Sequence, residues 1–154
     1  MRARFALTDP RSSGAVVRDH RVRVGYVDTD KAGVVHHTVY LVWLEQARIE
    51  YLRAGGLDYR AFERETQLGL PVIEARMRYR APARFDDVVE IETWVSTSSR
   101  AKVVFESRIR RAEGGEILCE GIVECACVDM QAERACSMPD AVRRACDPTP
   151  RRTA

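Results

Sequence analysis

Asp28, Asp30, Gly33, His36 and His37 fall within one short run, Tyr26 to Arg48, which reads YVDTDKAGVVHHTVYLVWLEQAR. A carboxylate can attack an acyl carbon or draw a proton from water, and a histidine can hold a substrate or tune a neighbouring acid. The run ends in a helix-patterned stretch. A helix start offers unpaired N–H groups and the positive end of the macrodipole. Such a place can hold an anion or polarise a carbonyl oxygen. Asp28 and Asp30 are therefore the run's candidate carboxylates, and the N–H groups around His37 its candidate carbonyl-polarising donors. A turn or helix-start carboxylate is the plain structural alternative for Asp30, and a structural pairing with a carboxylate is that for His37. Asp28 reads as a turn partner, and His36 as wall. A metal site is disfavoured, because the side chains of adjacent histidines diverge.

The elements that must position this run follow from periodicity. His20 to Tyr26 alternates, with Val22, Val24 and Tyr26 on one face, as a half-buried strand does. Gly33, in a polar turn, can take a positive φ and let the loop approach a substrate. A helix is expected over Thr38–Ala54, with Tyr40, Trp43, Leu44, Ala47 and Tyr51 as its core stripe and Gly55-Gly56 ending it. Val42, Ile49 and Leu52 widen the stripe, so most of this helix should be buried. A shorter helical or irregular piece spans Tyr59 to Gln67. Alternating strands then follow, with inward faces at Ile73–Tyr79, Val89–Val95 and Val103–Ile109, and Glu113-Gly114-Gly115-Glu116 signals a hairpin. The face Ile117, Cys119, Gly121, Val123, Cys125 and Cys127 is small-sided, as suits a strand with a helix close against it. Residues 141–146 read as a short terminal helix. The order predicts an α+β domain, one antiparallel sheet wrapped around one long central helix.

The chain of 154 residues is the size of one domain. Residues 1–18 lack a period and read as a loosely ordered leader, 19–147 as the domain, and 148–154 as a tail. The formal net charge of +2 gives no argument for nucleic acid. No run is long or apolar enough for a signal peptide or a membrane span, so the chain is expected to be cytoplasmic. Five cysteines, an odd number, do not suggest a disulfide framework.

Asp28, Asp30, Gly33, Val35, His37, Tyr40, Trp43, Glu45, Ala47 and Arg48 stand in register with a D-x-D-x-x-G-x-V-x-H/Y-x-x-Y-x-x-W/F-x-E-x-A-R pattern. On these residues the segment resembles the active-site signature of the 4-hydroxybenzoyl-CoA thioesterase family and the related bacterial short-chain acyl-CoA thioesterases. Tyr79-Arg80-Ala81-Pro82-Ala83-Arg84-Phe85-Asp86-Asp87 is similar to a second family segment. The resemblance implies a hotdog fold, a homodimer or homotetramer with active sites between subunits, and hydrolysis of an acyl-CoA or acyl-carrier-protein thioester without metal or redox cofactor. Asp30 would be nucleophile or general base. Gly33, Val35 and Tyr40 would adjoin the substrate. Glu45 would be a backup carboxylate, although pairing with Arg48 one turn on is its expected role. Arg100 and Lys102 would meet coenzyme A phosphates, with solvated strand-edge cations as the alternative and Ser99 standing where a further basic residue is expected.

Three other readings compete. A hydratase on the same fold would need an H-x-F-P-G-type loop, which the sequence lacks. A non-catalytic acyl-binding module would not need the carboxylate of Asp30. A Cys–His hydrolase would need an activated cysteine in a turn or at a helix start, and none is so placed.

Overall fold

A computed structural model describes residues 4–146. In chain order the elements are α1 (Pro10–Ser13), β1 (Arg18–Arg23), α2 (His37–Ala54), α3 (Tyr59–Thr66), β2 (Leu68–Gly69), β3 (Val72–Tyr79), β4 (Val88–Ser98), β5 (Lys102–Arg111), β6 (Ile117–Ala126), β7 (Val128–Asp129), β8 (Arg134–Ala135) and α4 (Asp140–Ala145). The large sheet is antiparallel, ordered β1-β4-β5-β6-β3, and α2 lies along one face. A second sheet, β2-β7-β8, sits beside it. This is the hotdog arrangement.

The sheet accepts the helix because its inward rungs are graded in size. Ile91, Ile109 and Cys119 share one rung, and Val95, Phe105 and Val123 share another. Between them lies Thr93–Ser107–Gly121, whose two buried hydroxyls satisfy each other at 2.9 Å. A Cβ on Gly121 would run into Leu44 Cδ1, so this rung is small because α2 rests on it. The small-sided face of β6 therefore has the physical cause expected of it. Tyr40, Trp43, Leu44, Ala47, Tyr51 and Leu52 are buried as the stripe requires.

Several expectations need correction. Tyr26 does not continue β1. It lies in a 3-10 turn (Tyr26–Asp28), is exposed, and stacks on Phe85 with ring centroids 3.9 Å apart. The helix α2 is less enclosed than predicted. Leu41 and Val42 are exposed and Ile49 is half-buried, because β1 and β3 leave one side of the helix uncovered. Along β3 only Met77 is partly buried, since this strand is the edge of the sheet.

The described part of the leader packs against the sheet's outer face. Thr8 donates from both N and Oγ1 to Glu106 Oε2, at 2.6 and 2.8 Å, and Trp94 Nε1 donates to Thr8 Oγ1 at 3.1 Å. Tyr51 Oη donates to the Val16 carbonyl at 3.1 Å. Local periodicity does not reveal this docking, because every partner lies far along the chain. The expected tail at 148–154 falls outside the described residues.

Candidate active site

The site begins with a tight loop between β1 and α2. Asp28 Oδ2 accepts from the Gly25 N–H at 2.8 Å, so Asp28 is the turn partner its position suggests. Thr29 bridges to Val35, the Asp30 N–H donates to the Val34 carbonyl at 3.0 Å, and the Gly33 N–H donates to the Asp30 carbonyl at 2.9 Å. Gly33 makes this closure possible with φ at 76°. It is not among the residues lining the cavity, so its contribution is the turn itself. Val35 is anchored by its N–H to the Ala83 carbonyl at 2.9 Å and is buried.

Asp30 is exposed at the rim of this loop. Its Oδ1 accepts from the Ala32 N–H at 2.8 Å, which fixes the carboxylate's direction. Among the described residues no hydrogen bond takes up its second oxygen.

Next comes the helix start. His36 is the N-cap of α2: its Nδ1 accepts from the Thr38 N–H at 3.3 Å and lies 2.7 Å from Thr38 Oγ1. Its carbonyl takes the Val39 N–H at 3.0 Å. Both bonds occupy donors that a bare helix terminus would leave open. The His37 N–H, at the first helical position, has no acceptor among the described residues. His36 is thus more than wall, because its cap singles out one free donor. Among the described residues no cluster of three or more His, Cys, Asp or Glu side chains could hold a metal ion.

Asp30, Val34, Val35, His37, Tyr40, Tyr79, Arg80, Ala81 and Pro82 line one cavity of about 360 Å³. That volume lies within the range of small-molecule sites. Tyr40 is buried and its Oη accepts from the Ala83 N–H at 3.0 Å, so it serves as wall and brace. Tyr79 Oη donates to the His37 carbonyl at 2.9 Å, and its ring meets those of His37 and Tyr40 edge-on. Burial, before any neighbouring charge, raises the pKa of both phenols, so both keep their protons at neutral pH. The choice of site residues from the sequence missed Tyr79 and Arg80. The signal for them was the Tyr79–Asp87 segment, which crosses behind the Asp30 loop.

Two groups of expected site residues lie elsewhere. Glu45 faces a separate groove with His20, Arg21, Val22, Arg23, Gln46, Ile49 and Glu50. Its expected partner Arg48 turns inward, 8% exposed, close enough to Tyr59 and Cys125 to act on both electrostatically. The two do not form an ion pair, because the packing of α2 directs them to different sides. Arg100 and Lys102 flank the β4–β5 turn. Arg100 Nε donates to Ser137 Oγ at 2.6 Å, and Lys102 pairs with Glu124 at 3.2 Å. Asp30 adjoins the other end of the sheet, where β4 starts. The eleven residues of β4 put roughly 30 Å between the two ends at about 3.3 Å per residue.

The long helix packed on one antiparallel sheet is the hotdog fold, and Asp30 and His37 share one cavity of it. The profile of the thioesterase-like superfamily matches residues 22–146, and the chain belongs to that family. The acyl-CoA thioesterase YbgC of Haemophilus influenzae is 37% identical over 124 residues, covering 80% of this chain and 90% of that protein. A hypothetical protein of Thermus thermophilus superposes with a TM-score of 0.77 at 40% identity, over 83% of this chain and 95% of the other. A mutant 4-hydroxybenzoyl CoA thioesterase complexed with 4-hydroxybenzoyl CoA, 24% identical, shares the fold at a TM-score of 0.78, covering 85% of this chain and 99% of its own.

Proposed function

We propose that this chain hydrolyses an acyl-CoA thioester to the free acid and coenzyme A. The observation that carries this reading is the pairing on one cavity of a fixed carboxylate with a free oxygen, Asp30, and a single uncapped helix donor, the His37 N–H. With the acyl carbonyl oxygen on the His37 N–H, the carbon becomes electrophilic and the developing oxyanion gains a preorganised donor. Asp30 then either adds to that carbon, giving an anhydride that water opens, or takes a proton from water as it adds. The tetrahedral intermediate collapses by expelling the coenzyme A thiolate. Tyr79 steadies the helix start through the His37 carbonyl, and Tyr40 and Val35 form the acyl wall.

The cavity is open to one side. The uncovered flank of α2 at Leu41 and Val42 and the exposed edge strand β3 support a second copy closing it in a homodimer or homotetramer. Such a copy also offers a way for Arg100 and Lys102 to reach the phosphates of a substrate held at another chain's Asp30. An acyl-carrier protein as thioester donor is the second reading, favoured by how exposed both cations are. The test is thiol release from short, long and aromatic acyl-CoAs by wild type and Asp30→Asn. A fall in kcat of about 10²–10⁴-fold at unchanged thermal midpoint is expected. Full activity in Asp30→Asn would overturn the assignment, and wild type inert on every acyl-CoA but active on acyl-carrier protein would select the second donor.

A further inference from the structure

Cys127 and Cys136 face each other where β6 runs into β7 and where β8 ends. Val128 pairs with Ala135 and Asp129 with Arg134. The next rung outward is Cys127 with Cys136, closed by the Cys136 N–H donating to the Cys127 carbonyl at 2.9 Å. The two Sγ atoms are 3.4 Å apart. Facing residues of an antiparallel pair have Cα atoms about 4.5–5.5 Å apart, inside the about 4.4–6.8 Å that a disulfide spans. Only the sulfurs need move, by side-chain rotation, to reach the bonding distance of about 2.05 Å.

From this geometry we infer that Cys127 and Cys136 form a reversible disulfide, a modification site separate from the Asp30 cavity, whose oxidant is a small-molecule disulfide of the glutathione class.

The two thiols are unequal in the way such a step needs. Cys136 is half-buried and reachable, whereas Cys127 is buried. Burial, and then the neighbouring Cys136, raise the pKa of Cys127, so it is a poor first nucleophile. The Cys136 thiolate attacks one sulfur of the oxidant, forming a mixed disulfide and releasing one thiolate. Cys127 gives its proton to that thiolate or to water, and its sulfur attacks Cys136 Sγ and expels the second thiol. The protein loses two electrons and two protons, and one small disulfide becomes two thiols.

The bond would close a short loop over β7 and β8 and clamp the segment that leads to α4. That segment also holds the β4–β5 turn. The Met138 N–H donates to the Arg100 carbonyl at 2.8 Å, Arg100 Nε donates to Ser137 Oγ, and the Cys127 N–H donates to the Ala101 carbonyl at 2.7 Å. The other three cysteines, Cys119, Cys125 and Cys146, are buried.

The experiment equilibrates the full chain with mixtures of reduced and oxidised glutathione, quenches with an alkylating agent, and maps peptides by mass spectrometry. Expected is loss of two hydrogens from the intact mass, a linked Cys127–Cys136 peptide whose share follows the glutathione ratio, and full reversal by dithiothreitol. Cys136→Ser, at a half-exposed position, should abolish the link, leave Cys127 unmodified, and retain the wild-type thermal midpoint. A persistent glutathione adduct on Cys136 with no linked peptide would overturn the inference, as would a link from Cys136 to another cysteine. None of these readouts depends on thioesterase activity.

Discussion

The two ends of the large sheet carry the two sets of residues expected to meet substrate, and they are built differently. At the Asp30 end, polar groups are held in place but left with spare capacity: one carboxylate oxygen and one helix N–H are without partners among the described residues. At the β4–β5 end the cations are engaged by their own chain, Arg100 with Ser137 and Lys102 with Glu124. Spare hydrogen-bonding capacity at a cavity is what chemistry needs. An exposed cation with a weak internal partner can exchange it for a phosphate at little cost. On the proposed reading, reaction belongs to the first end and anchoring to the second.

The severest test of that contrast is the pair of removals. Asp30→Asn should cost the orders of magnitude given above and appear in kcat. Arg100→Ala with Lys102→Ala should instead raise KM by about 10–100-fold, roughly the worth of one charge-assisted bond, with kcat little changed. Steady-state kinetics on an acyl-CoA separates the two, and a loss confined to kcat in the double variant would break the division. Mixing the two variant preparations under subunit exchange should recover a fraction of sites with the wild-type KM if one chain's cations serve another chain's Asp30.

Gly121 lies between the ends, beneath Leu44. Gly121→Ala should destabilise the fold by about 1–3 kcal/mol through overpacking, read as a lower denaturant midpoint. The Leu44 and Met77 side chains must shift to admit the methyl group, and kcat should change little. Tyr79→Phe should lower stability by about 0.5–1.5 kcal/mol, one net hydrogen bond, and lower kcat by up to the equivalent of about 2–12-fold, with KM nearly constant. An unchanged kcat would reduce Tyr79 to cavity wall.

The smallest effect near neutral pH concerns the buried acids away from the loop. Burial pushes Tyr59, Cys119 and Cys146 up to about 12, from ordinary values of 10.0 for the phenol and 9.0 for the thiols. In the unfolded chain they ionise first, so each favours the fold fully below about pH 9, and that contribution is lost progressively as the pH approaches 12. Thermal midpoints should be flat from pH 7 to 8.5 and fall above pH 9. Cys146→Ala should flatten the alkaline decline, and an unchanged slope in that variant would remove Cys146 from the account.

Much of this was legible from local pattern. The stripe of α2, the meander of strands and the small-sided β6 face follow from periods of 3.6 and 2, and the Asp30 loop from turn chemistry and motif register. Burial at the margins was not legible. The alternation along β3 looks like that of any half-buried strand, and only its place at the sheet edge leaves it exposed. Arg48 was misplaced for a related reason: helical spacing puts Glu45 within reach, but packing beneath α3 decides which way the guanidinium turns.

By itself, then, the sequence determined the elements and the chemical character of the Asp30 run, because helix period, strand alternation and turn residues act between near neighbours. Only the tertiary structure decided which donor at the helix start stays free and that Tyr79 reaches the His37 carbonyl. It also decided that the leader docks on Trp94 and Glu106, that Arg100 and Asp30 stand at opposite ends of one sheet, and that Cys127 meets Cys136 across a rung. Each of these is a contact between residues distant along the chain, set by sheet order and register, which local pattern does not encode.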